Sequence, residues 1–271
     1  MITSRYALAL VTLAACGSSR TTQARFPGGA VAFDRAASDP KALAIADKVV
    51  AAAGGAERWG KVKQLRWSES VKNDGKEIIG GEQAWDRWEG RHYGRLKRPG
   101  GDMVVMRPIY AAGGSAFIDT GKSLNKIADG TDEAIAAARE RWQFDTAALC
   151  MQFLLEEPGA KLEYGGEVEG EPGKPADDVK LTIDPKDTTR TATYHVVIDR
   201  DTNLINRIEI VKAGDPDAHR LGYKLEGWTE AGGLKFPTIV DNIGQPAEVI
   251  GFKDITIAEP DETLYVPPIS H

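Results

Sequence analysis

Alternating apolar and polar residues predict β-strands along most of this chain. The alternation is most regular over 62–72. One face of that segment carries Leu65, Trp67 and Val71, and the other carries Gln64, Arg66, Ser68 and Ser70. Asn73-Asp74-Gly75 then predicts a tight hairpin turn. Further strands are predicted at 78–88, 92–97, 103–107, 161–168, 178–184, 193–199, 206–212, 221–230, 234–242 and 247–257.

A helix is predicted immediately before the first strand. Asp39 is a suitable N-cap, and Pro40 fits the first helical position because its missing N–H is not needed there. Apolar residues recur at helical spacing as far as Ala53, and Gly54-Gly55 ends the helix. A second short turn carries Trp59.

Two further helices are predicted in the middle of the chain. Thr131-Asp132-Glu133 caps an Ala-rich helix that runs to Trp142, and an apolar helix follows over 146–155. Pro158-Gly159 ends the second helix. Helices at two points among about ten antiparallel strands indicate an α+β fold, and the absence of a second composition break predicts one domain over 39–271.

The first 38 residues differ from the rest. Residues 1–15 combine Arg5 with a short apolar stretch, which is the length of a signal-peptide core and too short to span a bilayer as a mature helix. Residues 16–38 are rich in Gly, Ser, Thr, Ala and Arg, so they predict a flexible tether.

The tetrad Leu13-Ala14-Ala15-Cys16 resembles the lipobox of bacterial lipoproteins. The resemblance implies cleavage before Cys16, acylation of that cysteine with chains such as palmitate, and attachment to a membrane. Gly17 stands where an aspartate would favour the inner membrane, so the implied location is the outer membrane facing the periplasm. The alternative is an ordinary secretory signal cut elsewhere, with Cys16 incidental.

Charge and composition exclude several classes of protein. With 42% hydrophobic and 27% charged residues, the chain is neither disordered nor collagen-like. Its formal net charge of −6 falls by one when Arg5 leaves with the signal peptide, which excludes a broad basic surface for nucleic acid. A local basic stretch is interpreted as a solvated strand face, and it consists of Arg87, Arg91, Arg95, Lys97 and Arg98.

Short motifs predict no catalysis, cofactor or metal. The phosphate-loop-like run 116–123 lies in a β-rich chain without the helix that such a loop needs, so no nucleotide is expected. Asp199-Arg200-Asp201-Thr202-Asn203 lacks the glycine and glutamate of a calcium loop and predicts a hairpin turn. No GxSxG turn or HExxH pair occurs, and Cys150 lies in an apolar run as a core residue. An active site assembled from residues far apart in sequence remains open.

Aromatic residues on the predicted strands either line a cavity or form a solid core, and pattern alone favours the core. They are Trp67, Trp85, Trp88, Tyr93, Phe117, Tyr223, Trp228 and Phe252.

Three segments carry a resemblance to a known family. They are the early helix ending in Ala52-Ala53-Gly54-Gly55 with Trp59 after it, the run Val197-Ile198-Asp199-Arg200-Asp201-Thr202-Asn203-Leu204-Ile205, and the run Gly227-Trp228-Thr229-Glu230-Ala231-Gly232-Gly233-Leu234-Lys235-Phe236-Pro237. Together they are similar to the outer-membrane lipoprotein-sorting superfamily of LolA and LolB type, over roughly residues 40–257.

The resemblance implies an incomplete, half-open antiparallel β-barrel whose concave face is closed by helices and takes acyl chains. The helix around 149–155 would be a lid element. The cavity lining would include Leu65, Trp67, Trp85, Trp88, Phe117, Phe153, Tyr223 and Phe252. The function expected is non-catalytic binding of an acyl chain or another apolar ligand; the alternative is a structural or protein-interaction lipoprotein with a filled core.

Overall fold

The computed structural model describes residues 33–98, 101–106, 115–119, 124–126, 132–183, 192–212, 214–217 and 220–265. The predicted signal peptide, Cys16 and most of the predicted tether lie outside these residues.

The end of the predicted tether is folded onto the domain. Arg35–Ala37 form a 3-10 helix, and Arg35 pairs with Asp47 at 2.8 Å and with Glu156 at 3.1 Å. Ser38 Oγ then accepts a 3.0 Å hydrogen bond from Leu162 N. Residues 35–38 of the predicted tether are therefore packed against the domain.

The first helix begins as the sequence predicts. Helix α1, Pro40–Ala52, is capped by Asp39, whose carboxylate accepts from Lys41 N at 2.8 Å and Ala42 N at 3.0 Å. Gly54, at φ +114°, ends it in a conformation that residues with a side chain rarely adopt. Helix α2, Ala56–Lys61, follows and carries Trp59.

Fifteen strands follow in the described residues. They are β1 Gln64–Asn73, β2 Lys76–Asp86, β3 Arg91–Arg98, β4 Gly101–Met106, β5 Ser115–Asp119, β6 Leu124–Lys126, β7 Ala160–Glu169, β8 Pro175–Ile183, β9 Ala192–Asp199, β10 Ile205–Lys212, β11 Leu221–Glu226, β12 Thr229–Ala231, β13 Leu234–Phe236, β14 Ile239–Asn242 and β15 Glu248–Ala258. Asp74 and Gly75 take φ of +50° and +75° in the predicted turn between β1 and β2, which confirms it.

Two predicted strands are each two strands in the structure. The segment 221–230 divides at Gly227, which has φ +65°, into β11 and β12. The segment 234–242 divides at Pro237, which lacks the N–H of a ladder residue, into β13 and β14. The short strands β5 and β6 were not predicted, since three to five residues give little periodicity.

Thirteen strands form one antiparallel sheet in the order β6-β5-β4-β3-β2-β1-β15-β14-β11-β10-β9-β8-β7, and β12 pairs only with β13. The first and last strands, β1 and β15, are neighbours at its middle. Over the described residues the sheet is not closed, because β6 and β7 end it without pairing with each other.

One long helix crosses this sheet where two were predicted. Helix α3, Asp132–Leu154, is continuous over 23 residues. The polar residues at the junction of the two predicted helices are hydrogen-bonded or paired within it. Thr146 Oγ1 donates to Trp142 O at 2.7 Å, and Asp145 is held by Arg141 one turn earlier. Of the helices that the structure describes, none is long and apolar enough to cross a membrane.

Candidate functional site

A group of polar side chains lies between α3 and the strands β1, β2 and β3. We call it the α3 cluster, and it consists of the buried Glu69, Gln83, His92 and Asp145 together with Arg141, whose side chain is 23% exposed. Glu69 comes two residues after Trp67, so it projects from the same face of β1 as Leu65. The predicted apolar face of Leu65, Trp67 and Val71 did not include Glu69. The missed signal is a carboxylate at an apolar position of the alternation.

Gln83 is the centre of the α3 cluster. Its Nε2 donates to Asp145 Oδ2 at 2.8 Å and to Glu69 Oε2, while its Oε1 lies 2.8 Å from His92 Nε2. Arg141 completes the network. Its Nε lies 2.9 Å from Asp145 Oδ1, and its Nη2 pairs with Glu69. The cluster therefore fastens α3 to β1 and β2 by charged hydrogen bonds inside the core.

Burial controls the protonation of two members. Desolvation raises the pKa of Asp145 against the opposing effect of Arg141, and it lowers the pKa of His92 to about 3. His92 is therefore neutral at any physiological pH. Glu69 and Asp145 share the single positive charge of Arg141, so the raised pKa of Asp145 favours one negative charge in the cluster over two.

Five of the eight predicted cavity-lining residues share one packed core around this cluster. They are Leu65, Trp67, Trp85, Phe153 and Phe252, each at most 2% exposed. Helix α3 contributes Trp142, whose ring meets Trp85 edge-on at 5.7 Å. In the described residues the helix and the sheet are thus joined by an aromatic layer.

The other three predicted lining residues lie differently. Tyr223 is half-buried at the margin of the core, with its ring 4.9 Å from that of Phe144. Trp88 is half-buried outside this core, 5.3 Å below Lys63 Nζ. Phe117 lies on β5, with its side chain outside the described residues.

Two arginines of the predicted solvated basic face are buried, which corrects that interpretation. Arg87 is 3% exposed, donates to Trp59 O at 2.7 Å and pairs with Glu157 at 3.0 Å. Arg91 pairs with Asp86 and, at 2.6 Å, with Glu262. Glu157 and Glu262 lie far from these arginines in sequence, so the local charge pattern could not show the burial.

A second buried histidine lies in the other half of the sheet. His195 on β9 has Nδ1 2.9 Å from Asp178 Oδ2 and Nε2 3.0 Å from Asp217 Oδ1. A carboxylate only accepts hydrogen bonds, so both contacts are satisfied together when the imidazole carries two protons. The hydrogen bond to Asp178 is the largest cause that raises the pKa of His195.

Stability should consequently depend on pH through His195. A raised folded-state pKa gives stabilisation that is complete below the unfolded value of about 6.5 and is lost as pH rises through the folded pKa. We expect His195→Gln to lower the urea midpoint more at pH 6 than at pH 9, because glutamine carries no charge at either pH. An equal loss at both values would show that the imidazolium is not the stabilising form.

Three motifs of the sequence lie wholly or partly within the described residues. Asp199 Oδ1 accepts from Asp201 N at 3.0 Å and Thr202 N at 2.7 Å, which confirms the predicted turn. Residues 116–119 of the phosphate-loop-like run lie on β5, and 120–123 lie outside the described residues. Strand β6 begins at Leu124, where such a loop would require a helix. Cys150 is fully buried, as predicted.

A surface hollow of about 250 Å³ lies away from the α3 cluster. Its lining contains none of the predicted cavity residues and consists of Gly170, Glu171, Pro172, Asn206, Arg207, Lys224 and Ile243. Across the described residues, no three His, Cys, Asp or Glu side chains have the geometry of a metal site.

Comparison with known proteins gives a fold but no family. No family model matches the sequence, and no curated protein matches it. The crystal structure of a DUF1329 family protein from Desulfovibrio piger is similar, with a TM-score of 0.52 and 14% identity over 85% of this chain and 98% of that one. This likeness shows that the open antiparallel sheet with its helices is a fold found in another bacterial protein.

Two further solved structures are similar at lower scores. A putative outer membrane lipoprotein-sorting protein domain from Vibrio parahaemolyticus has a TM-score of 0.47 and 11% identity, over 83% of this chain and 96% of its own. A LolA superfamily protein from Nitrosomonas europaea has a TM-score of 0.48 and 9% identity, over 83% and 97%.

Proposed function

We propose that this protein is an outer-membrane lipoprotein that faces the periplasm and binds an acyl chain or another apolar ligand without catalysis. The observation that carries the proposal is the aromatic layer between α3 and an antiparallel sheet that stays open at both ends. Helices α1, α2 and α3 and strand β13 all contribute buried side chains over this apolar surface, and a ligand would reach it where α3 moves away from the sheet.

The aromatic layer is large enough to bury a long apolar chain. Trp59 stacks on Phe153 with ring centroids 4.4 Å apart, and Phe153 meets Phe236 at 6.0 Å. These rings lie on α2, α3 and β13, so an apolar chain among them would contact three elements. A chain of about ten methylenes gains about 8 kcal/mol by burial before the cost of ordering it and moving the helix.

The proposed location rests on the sequence. Cys16 ends a lipobox-like tetrad that follows a signal-peptide core, and about 20 residues separate it from the capped start of α1 at Asp39. Acyl chains on Cys16 would hold the domain at the membrane, since each buried methylene contributes about 0.8 kcal/mol.

A specific observation favours a second candidate, a structural or interaction lipoprotein with a filled core. Trp67, Trp85 and Phe153 are almost completely buried by the protein itself. In that case α3 would be a permanent part of the core, and the function would lie on the outer surface with a protein partner.

Native mass spectrometry of the full chain, purified from bacterial envelopes, tests both parts of the proposal. We expect a mass increase from acyl groups at the amino terminus of wild type and none in Cys16→Ser. We also expect a non-covalent acyl lipid in both, since the ligand site does not use Cys16. An unmodified Cys16 would refute the anchor. A lipid-free protein that takes up no added decanol or decanoate would refute ligand binding and favour the filled core.

A further inference from the structure

Strands β10 and β11 bring two cations together beside the surface hollow of about 250 Å³. Arg207 and Lys224 are direct partners in the antiparallel ladder, and both line the hollow. Tyr223, the residue before Lys224, has its ring against that of Phe144 on α3. Because neighbouring residues of a strand point to opposite faces, Lys224 and its partner Arg207 lie on the face of the sheet turned away from α3. The hollow is therefore separate from the aromatic layer.

The protein itself uses only part of the guanidinium of Arg207. Its Nε donates to Glu209 Oε1 at 2.8 Å, and its two Nη groups have no partner among the described residues. Both Nη groups are accessible to solvent, although the side chain as a whole is only 25% exposed. Arg207 thus offers two unused donor groups from a side chain that is held in place.

The carboxylates around the hollow already have cations of their own. The pairs are Glu209 with Arg220 at 3.0 Å, Glu171 with Lys174 at 2.8 Å, and Glu226 with Lys224. None of these pairs has to break for a ligand to reach the Nη groups of Arg207. A singly charged anion can therefore add to the site, whereas the nearby carboxylates would repel a doubly charged one more strongly.

An isoleucine forms an apolar wall of the same hollow. Ile243 is 51% exposed, the largest exposed fraction of any large apolar side chain in the described residues. A Cβ built on Gly222 would lie 3.1 Å from Ile243 Cδ1, so the isoleucine lies across this glycine, which shares a strand face with Lys224. Pro172, in the turn between β7 and β8, also lines the hollow. An apolar group next to the cations would cover this wall.

We propose that the hollow binds a small carboxylate that carries a short apolar tail. The carboxylate accepts from the Nη groups of Arg207 and lies beside the ammonium of Lys224, and the tail lies on Ile243 and Pro172. A planar guanidinium and a carboxylate form paired hydrogen bonds, which an amine cannot accept. A cavity of about 150 Å³ holds benzene, so a hollow of about 250 Å³ has room for an acid of about six carbons. This site goes beyond the proposed function and does not rest on it.

Four ligands test the chemistry of the hollow on the full chain held in amphipol, with amphipol alone as the blank. They are hexanoate, acetate, hexylamine and hexyl phosphate, measured by calorimetry at pH 8. We expect hexanoate to bind about tenfold more tightly than each of the others. Acetate lacks the tail, hexylamine has the wrong charge, and hexyl phosphate carries two negative charges.

Arg207→Met should lower hexanoate affinity about tenfold, because it removes the guanidinium and keeps the length of the side chain. Arg200→Met is the matched control. Arg200 also pairs with carboxylates, those of Glu167 and Asp177, but it does not line the hollow, so this variant should bind hexanoate as wild type does. Ile243→Ser should weaken hexanoate about threefold and leave acetate unchanged, because it removes only the apolar wall.

Equal urea midpoints of Arg207→Met and Arg200→Met would show that the loss of binding is local. If Arg207→Met does not fold, Lys224→Met takes its place with an expected loss of about threefold, since the side chain of Lys224 is 41% exposed. Hexanoate that binds wild type no better than hexylamine, or that binds Arg207→Met as well as wild type, would overturn the site. Tighter binding of hexyl phosphate than of hexanoate would overturn its assignment to a carboxylate.

Discussion

Replacing Arg141 by methionine is expected to lower the free energy of unfolding at pH 8 by about 3–5 kcal/mol. Methionine keeps the length and apolar contacts of the side chain but removes the guanidinium. Glu69 and Asp145, whose side chains are fully buried, would then face each other without a cation. Urea unfolding followed by tryptophan fluorescence measures the loss.

The loss of unfolding free energy caused by Arg141→Met should be smaller at acidic pH. Burial places the pKa of Asp145 above its unfolded value, so the folded state holds a proton there more readily, and wild-type stability falls as pH rises through that range. Removing Arg141 enlarges the penalty for the charged forms. We therefore expect the difference between wild type and Arg141→Met to be smaller at pH 5 than at pH 8.

Lys61→Met is the control for Arg141→Met. Lys61 also forms an ion pair, with Glu57 at 2.6 Å, but both side chains are more than two-thirds exposed. Its loss should change stability by less than about 1 kcal/mol. Comparable losses in the two variants would show that the α3 cluster is not energetically distinct from a surface pair.

The elements that sequence predicts well are those specified by neighbouring residues. Asp39 and Pro40 determine the start of α1, and Asp74-Gly75 determines the first hairpin, because caps and turns act within four residues. The alternation over β1 likewise follows from a period of two. Each of these predictions needs no knowledge of the rest of the chain.

The candidate site depends instead on pairings between distant segments. Glu69 interrupts an apolar face, and its partners Gln83 and Arg141 come from β2 and α3. The sequence shows the unusual position of Glu69, but not which side chains compensate it. Five of the predicted residues could be expected to be buried because large apolar side chains on the inner faces of strands and helices usually are; how α3 pairs with them depends on contacts between distant segments, which periodicity does not encode.

The two buried ionic groups hold α3 at separate points. The α3 cluster fixes its middle through Arg141 and Asp145, and the pair of Arg87 with Glu157 fixes the turn just after its end. Apolar contacts lie between them, at Leu149 and Phe153. If a ligand displaces part of the helix, the segment before Asp145 is the part that can leave without breaking the second group.

Glu157→Ala is expected to cost about 3–5 kcal/mol in the free energy of unfolding, because it leaves the guanidinium of Arg87 buried without a counter-ion. Glu157 Oε1 accepts both from Arg87 Nη2 at 3.0 Å and from Trp59 Nε1 at 2.9 Å. The variant therefore also removes the acceptor of a buried indole. Thermal and urea unfolding should both show the loss.

Glu156→Ala is the matched control. Glu156 precedes Glu157 in the chain, and its carboxylate pairs with the half-exposed Arg35, so this pair should contribute less than about 1 kcal/mol. Arg87→Met combined with Glu157→Met should recover much of the loss of Glu157→Ala, because the double variant leaves no unpaired buried charge. A double variant as unstable as Glu157→Ala would contradict this. It would show that the stacking of Arg87 on Trp59, at 3.7 Å, contributes more than the ion pair.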